Sequence, residues 1–185
     1  MDQTILLKKV AKVLEGLDIP YIVTGGVAVT VWGRPRFTAD IDIVIEISLS
    51  RSQDLLRSLM KVDKKIYISE TAVNQAVLRK GEFNLIHPDG LKVDFWILED
   101  DAYDRSRIKR GVTKKVWGRN ITFISPEDLI LSKLIWYKKG RSTRQLEDIE
   151  SIVAIQKKLD WKYIKRWVGI QATEKFLNIL LKKNK

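Results

Sequence analysis

Thr38-Ala39-Asp40-Ile41-Asp42-Ile43-Val44-Ile45-Glu46-Ile47 is the stretch that decides how this chain reads. Ile41, Ile43, Ile45 and Ile47 alternate with Asp40, Asp42, Val44 and Glu46, the period of two expected of a half-buried strand. The isoleucines need a core to cover them. Asp40 and Asp42 leave the opposite face together. Aspartate is a poor strand former, and like charges on one face repel. The pair is therefore either the solvated face of an edge strand or a pair kept for a ligand. A rise of about 3.3 Å per residue sets their Cα atoms roughly 6–7 Å apart. Carboxylates so spaced can grip hard divalent cations, magnesium above all, whose other ligands are waters and phosphate oxygens.

Upstream, Pro20 precedes a short apolar run, Tyr21-Ile22-Val23, which reads as a strand. Thr24-Gly25-Gly26 reads as a tight turn, and Val27 to Trp32 as a helix directly after it. Glycines let the backbone approach a ligand closely. A following helix N-terminus offers free N–H groups to phosphate. Before this unit, Ile5, Leu6, Val10, Val13, Leu14 and Leu17 recur at helical spacing and predict a helix ending near Gly16.

Downstream, Ser50 is expected to cap a helix through Leu55, Leu56, Leu59 and Met60. Residues 63–79 form a mixed stretch. Phe83 to Ile86 and Leu91 to Leu98 flank Pro88-Asp89-Gly90 and predict a hairpin. In its second arm Leu91, Val93, Phe95 and Ile97 make the buried face, and Asp94 points the other way with Lys92 and Trp96. If this arm neighbours the Asp40 strand, three carboxylates converge, and Asp94 becomes a candidate metal ligand and general base. The alternative is an ordinary exposed strand acid. Val112 to Val116 and Asn120 to Ile124 predict a second hairpin around Gly118.

After Ser125 the pattern turns helical. Ser125-Pro126-Glu127-Asp128 supplies a cap, a proline at the first helical position and acids in the first turn. That helix should run to about Lys139, with further helices over about 143–157, 160–169 and 173–183. Lys133 is the sole charge between Asp128 and Lys138, so it needs a snorkelling path or an anionic partner. Asp148 lies about as far beyond the Gly140–Ser142 break as Lys133 lies before it. An antiparallel helix pair would bring them together, either to serve a ligand or as a structural ion pair. The layout is α+β: a core over 1–124 and a C-terminal helical region over 125–185 packed on it.

Composition bounds the chemistry. The 185 residues are 45% hydrophobic, enough for one domain of ordinary size or a core with a small appendage. With no cysteine, disulfides, Cys-ligated zinc, iron–sulfur clusters and a thiol nucleophile are excluded. The single histidine, His87, sits in His-Pro-Asp-Gly and reads as a solvated turn residue. A net charge of +11 attracts polyanions: nucleic acid, nucleoside triphosphates or an anionic membrane surface. Arg105, Arg107, Lys109, Arg110, Lys114, Lys115 and Arg119 have no acid between them. The tail interleaves Trp161, Tyr163 and Trp167 with Lys157, Lys158, Lys162, Lys165, Arg166, Lys175, Lys182, Lys183 and Lys185. These segments either hold a nucleic-acid backbone and stack a base, or are solvated faces whose aromatics belong to the core. No apolar run reaches the roughly 18 residues of a membrane span, and Met1-Asp2-Gln3-Thr4 lacks a signal-peptide pattern, so a soluble, cytoplasmic protein is expected.

Gly25-Gly26, thirteen residues, then Asp40-Ile41-Asp42-Ile43 resembles the signature of the polymerase-β-like nucleotidyltransferase superfamily. Gly-Gly in place of the common Gly-Ser, together with Gly33-Arg34-Pro35-Arg36-Phe37-Thr38-Ala39-Asp40, is similar to the branch of minimal nucleotidyltransferases and AbiEii-type toxins. Asp128-Leu129 with Lys133, followed by Asp148, resembles the same branch. The resemblance implies a mixed β-sheet with helices on one face, followed by C-terminal helices. It implies two Mg²⁺ ions (Mn²⁺ as a substitute) on Asp40, Asp42 and Asp94. It also implies an NTP such as ATP bound by Gly25, Gly26, Arg36, Thr38, Lys133 and Asp148. The expected reaction moves a nucleoside monophosphate to a hydroxyl of RNA (a tRNA end suits the charge), a protein or a small molecule, with a toxin–antitoxin setting among its contexts. The alternative is a catalytically inactive module of this fold that binds RNA or a protein partner.

Overall fold

The computed structural model describes residues 1–183; Lys185 of the basic tail lies outside the described residues, as do the side chains of Lys182 and Lys183. In chain order the elements are α1 (Gln3–Gly16), β1 (Tyr21–Thr24), α2 (Gly25–Trp32), β2 (Asp40–Ile45), a 3₁₀ turn (Leu49–Arg51), α3 (Ser52–Met60), β3 (Tyr67–Ile68), α4 (Glu70–Arg79), β4 (Glu82–His87), β5 (Leu91–Ile97), α5 (Ala102–Lys109), β6 (Val112–Val116), β7 (Arg119–Phe123), α6 (Pro126–Gly140), α7 (Thr143–Ile155), α8 (Trp161–Ile170) and α9 (Glu174–Lys183). The described residues divide into two units: residues 1–27 with 37–124, and residues 28–36 with the C-terminal helices from 125 onward.

The first unit is built on a mixed sheet of order β3-β4-β5-β2-β1-β7-β6. β2 runs antiparallel to β1 and parallel to β5, β4 pairs antiparallel with β5, and β1 parallel with β7. The alternation in β2 and β5 has its expected outcome: Ile41, Ile43, Ile45, Val93, Phe95 and Ile97 are all buried. Phe83 stacks on Phe95 with ring centroids 4.7 Å apart. Leu6, Leu7, Val10 and Leu14 of α1, Leu55, Leu56 and Leu59 of α3, and Val73 and Val77 of α4 complete this core. Each fully buried aliphatic side chain contributes about 1.5–3 kcal/mol, which holds β2 firmly by its apolar face.

The second unit is helical. α6 packs against α7, α8 and α9, and Leu129, Ile130, Leu131 and Leu134 of α6, Ile149 and Ile152 of α7, Ile164, Trp167 and Val168 of α8, and Phe176 and Leu177 of α9 are buried. Ser125 caps α6, its hydroxyl accepting from the Asp128 N–H at 3.1 Å. Asp128 is fully buried and also accepts from the Tyr163 hydroxyl at 2.7 Å. Trp167 is buried, and Tyr163 is half-buried with its hydroxyl on Asp128, which favours the core reading of these two aromatics.

Local differences from the sequence reading have physical causes. The two glycines open α2 itself rather than forming a separate turn. Ser50 lies within the 3₁₀ turn, so it does not cap α3. Residues 63–79 resolve into β3 and α4, the latter capped by Ser69. α5 had no apolar period to reveal it; Asp101 starts it by accepting from the Asp104 N–H at 2.7 Å. His87 ends β4 and is buried rather than solvated. Among the described residues no helix is long and apolar enough to cross a membrane.

Candidate active site

The register of two adjacent strands assembles the acids. Asp42 of β2 and Asp94 of β5 are Cα partners on adjacent parallel strands. Asp40 is the partner of Lys92 in the same pairing. On the far side of β5, Asn84 is the partner of Asp94, and on the far side of β2, Thr24 is the partner of Asp42. Partners in register share a face, so Asp40, Asp42 and Asp94 lie together with Lys92, Asn84 and Thr24. Two full negative charges about 5 Å apart repel by roughly 3 kcal/mol at an effective dielectric near 20. Such a grouping is stable only with cations or donors at hand.

Asp94 is buried and both of its oxygens are engaged. Asn84 donates its amide N–H to Oδ1, and the Lys92 ammonium lies 3.0 Å from Oδ2. The hydrogen bond to Asp94 is the largest influence on Lys92 and raises its pKa above the usual lysine value, with the Asp94 and Asp40 charges adding to it.

The glycines fit closely against this face. Gly25 has φ +61, a left-handed conformation that side chains rarely adopt. A Cβ there would overlap the Asp42 carboxylate. At Gly26 a Cβ would overlap the Thr38 side chain. Thr38 is held in turn by its carbonyl, which accepts from Gln3 Nε2 at 3.0 Å. The missing side chains thus leave the start of α2 open to Asp42 and Thr38.

The second unit has a charge cluster of its own. Asp148 is 2% exposed. It accepts two hydrogen bonds from Arg36, Nε to Oδ1 at 2.6 Å and Nη2 to Oδ2 at 2.8 Å, and pairs with Lys133 Nζ at 2.8 Å. The expected meeting of Lys133 with Asp148 across the helix pair is present, and Arg36 joins it. Burial pushes the Asp148 pKa up, but the Arg36 hydrogen bond and the Lys133 charge outweigh burial and leave it below the usual carboxylate value. In the same unit Gly33 allows a close approach to α7, where its Cβ would stand 2.5 Å from Ser151 Oγ.

Residues 4–179 match the family described as "Nucleotidyl transferase of unknown function (DUF2204)". The chain belongs to this family. Among solved structures, this nucleotidyl transferase is similar to the lincomycin-bound lincosamide antibiotic adenylyltransferase LnuA, at 18% identity and TM-score 0.55 over 84% of this chain and 99% of that one. It is similar to the antibiotic-resistance factor ANT(2'')-Ia, at 17% identity and TM-score 0.58 over 100% of this chain and 98% of that one. A nucleotidyltransferase-like protein from Paracoccidioides brasiliensis gives 17% identity and TM-score 0.58 over 98% and 94%. At these identities the likeness is one of fold. Among curated proteins none matches.

The nucleotidyltransferase superfamily typically uses Mg²⁺. In this chain Asp40, Asp42 and Asp94 bear hard carboxylate oxygens of the kind Mg²⁺ takes, and the strand register puts them on one sheet face. As the side chains stand, no group of three or more His, Asp or Glu among the described residues is gathered to hold a metal ion. Asp94 explains this in part, since Asn84 and Lys92 hold its oxygens. Neither was singled out from sequence; their signal lay in the hairpin register, which sets Asn84 opposite Asp94.

Proposed function

We propose that this chain transfers a nucleoside monophosphate from an NTP to an acceptor hydroxyl, releasing pyrophosphate. The supporting observation is the side-by-side register of Asp42 and Asp94, with Asp40 on the same face and Gly25 against Asp42. In the reaction the acceptor oxygen bonds to the α-phosphorus, the bond from that phosphorus to the β-phosphate oxygen breaks, and the hydroxyl proton passes to the Asp94 carboxylate. Asp40, Asp42 and Asp94 would hold Mg²⁺, which when bound neutralises phosphate charge. Gly25 and Gly26 would let the backbone N–H groups at the start of α2 reach the triphosphate. Arg36, Thr38, Lys133 and Asp148 are assigned to the nucleotide as well, the last two as the ion pair that keeps Arg36 in place. Catalysis of this type is mainly positioning and charge neutralisation.

RNA suits the net charge of +11. A small-molecule hydroxyl suits the fold likeness to a lincosamide adenylyltransferase and to ANT(2'')-Ia, whose complex holds adenylyl-2''-tobramycin. A toxin–antitoxin setting follows from the AbiEii-like motif alone. The test incubates labelled NTPs and Mg²⁺ with total RNA, total protein or an aminoglycoside, using the native protein and Asp42→Ala. Label transferred by the native protein alone is expected; equal labelling by both removes the catalytic assignment.

The engagement of Asp94 by Lys92 and Asn84 favours a second reading, a non-catalytic module of the same fold that binds RNA or a protein. Calorimetric titration separates the two, because a module of that kind gives no Mg²⁺-dependent heat with any NTP.

A further inference from the structure

We propose that Lys92 is a positioning residue which occupies the Asp94 carboxylate in the cation-free protein and yields it to a divalent cation, while Asn84 keeps its hold on the other oxygen. The inference rests on the reading of Asp40, Asp42 and Asp94 as a metal site. Three acids share one sheet face; Asp42 and Asp94 are Cα partners of each other, and the other partners of the three are Lys92, Thr24 and Asn84. Of those partners Lys92 bears the positive charge, and its ammonium lies 3.0 Å from Asp94 Oδ2 while its own cross-strand partner is Asp40. It is thus a cation that offsets the crowding of acids on this face.

The two holders of Asp94 differ in how easily they can leave. The Lys92 side chain is 38% exposed. Its flexible stem lets the ammonium swing into water and remain solvated. Asn84 is short and fixed on β4 directly beside Asp94. A divalent ion approaching Asp94 therefore competes with a tethered monovalent one, and Lys92 lowers the apparent metal affinity. Asn84 acts the opposite way, because it aims the carboxylate.

The experiment titrates Mn²⁺ alone into native protein, Lys92→Met, Asn84→Ala and Asp42→Ala, reading free Mn²⁺ by electron paramagnetic resonance and fold by circular dichroism. Lys92→Met should bind Mn²⁺ about tenfold more tightly than the native protein, and Asn84→Ala roughly 10- to 100-fold more weakly, as for other partners that orient a ligand. A purely structural lysine would not tighten metal binding when removed. If Lys92→Met does not fold, Lys92→Gln tests the same expectation. Unchanged or weaker binding in the folded lysine variant overturns the role of Lys92 and leaves the metal-site reading standing. Equal, negligible binding by native protein and Asp42→Ala overturns both.

Discussion

The molecule handles its carboxylates in two opposite ways. In the helical unit a single acid, Asp148, is ringed by the Arg36 guanidinium and the Lys133 ammonium. In the sheet unit three acids crowd one face, with Lys92 as the cation among their cross-strand partners. The first arrangement meets one negative charge with two positive ones, so its acid is fully engaged by protein groups. The second gathers negative charge on rigid strands whose other face is locked into a core, which is where a cation-dependent site is best built. Under the proposed function, the difference should separate residues whose removal lowers stability from residues whose removal lowers nucleotidyl transfer.

That contrast can be broken by mutation. Asp42→Ala should lower nucleotidyl transfer by about 10³-fold, the several kcal/mol expected when charge stabilisation by a metal is lost, while the melting temperature holds or rises as repulsion is relieved. Asp148→Ala should do the reverse first. It breaks the ion pair of Lys133, only 7% exposed, and the two hydrogen bonds from Arg36, and should cost about 3–5 kcal/mol in denaturant unfolding. If Asp148→Ala melts like the native protein but abolishes transfer, the two regions do not divide as argued. Gly25→Ala tests the join between backbone and acid. The left-handed φ costs about 1–2 kcal/mol, and the new methyl collides with Asp42, so transfer should fall more than stability.

Acid titration sharpens the same comparison with a smaller effect. Since Asp148 has a depressed pKa when folded, its contribution to stability is complete above the ordinary carboxylate pKa and is lost as pH falls through the lower folded value. Unfolding measured from neutral to strongly acid pH should show this limb in the native protein and not in Asp148→Asn. A fainter signal comes from the alkaline side. Tyr21 is pushed up to about 12, first by burial and then by its hydrogen bond to Glu15. Its contribution is present below the free tyrosine value and lost as pH rises through about 12, so one tyrosinate should appear late in an ultraviolet titration of native protein and be missing from Tyr21→Phe.

Much of the fold could be read before the coordinates, because isoleucine at every second position of β2 and of no other periodicity leaves one conformation open. The hairpin ending in β5 was equally legible, since Pro88-Asp89-Gly90 marks its turn. α5 was not, because its residues Ala102-Tyr103-Asp104-Arg105-Ser106-Arg107-Ile108-Lys109 give no apolar stripe and only Asp101 marks its start. Of the candidate site, the common face of Asp40 and Asp42 follows from strand geometry, and adjacency to Asp94 was a conditional the register now supplies. The Arg36–Asp148 pair could not be seen, as no local rule links side chains so far apart in sequence. Nor could the hold of Lys92 and Asn84 on Asp94, which depends on rotamers as well as register.

The parallel pairing of β2 with β5 also has a consequence for biogenesis. A parallel neighbour cannot be reached by a short hairpin. The chain must first make α3, β3, α4 and β4 before β5 can slot in beside β2. A nascent polypeptide that has emerged only as far as residue 90 therefore presents β2 as an open border with Asp40 and Asp42 along it. Charges on an uncovered border discourage association with another chain, so the same aspartates would guard the protein against aggregation before it is complete.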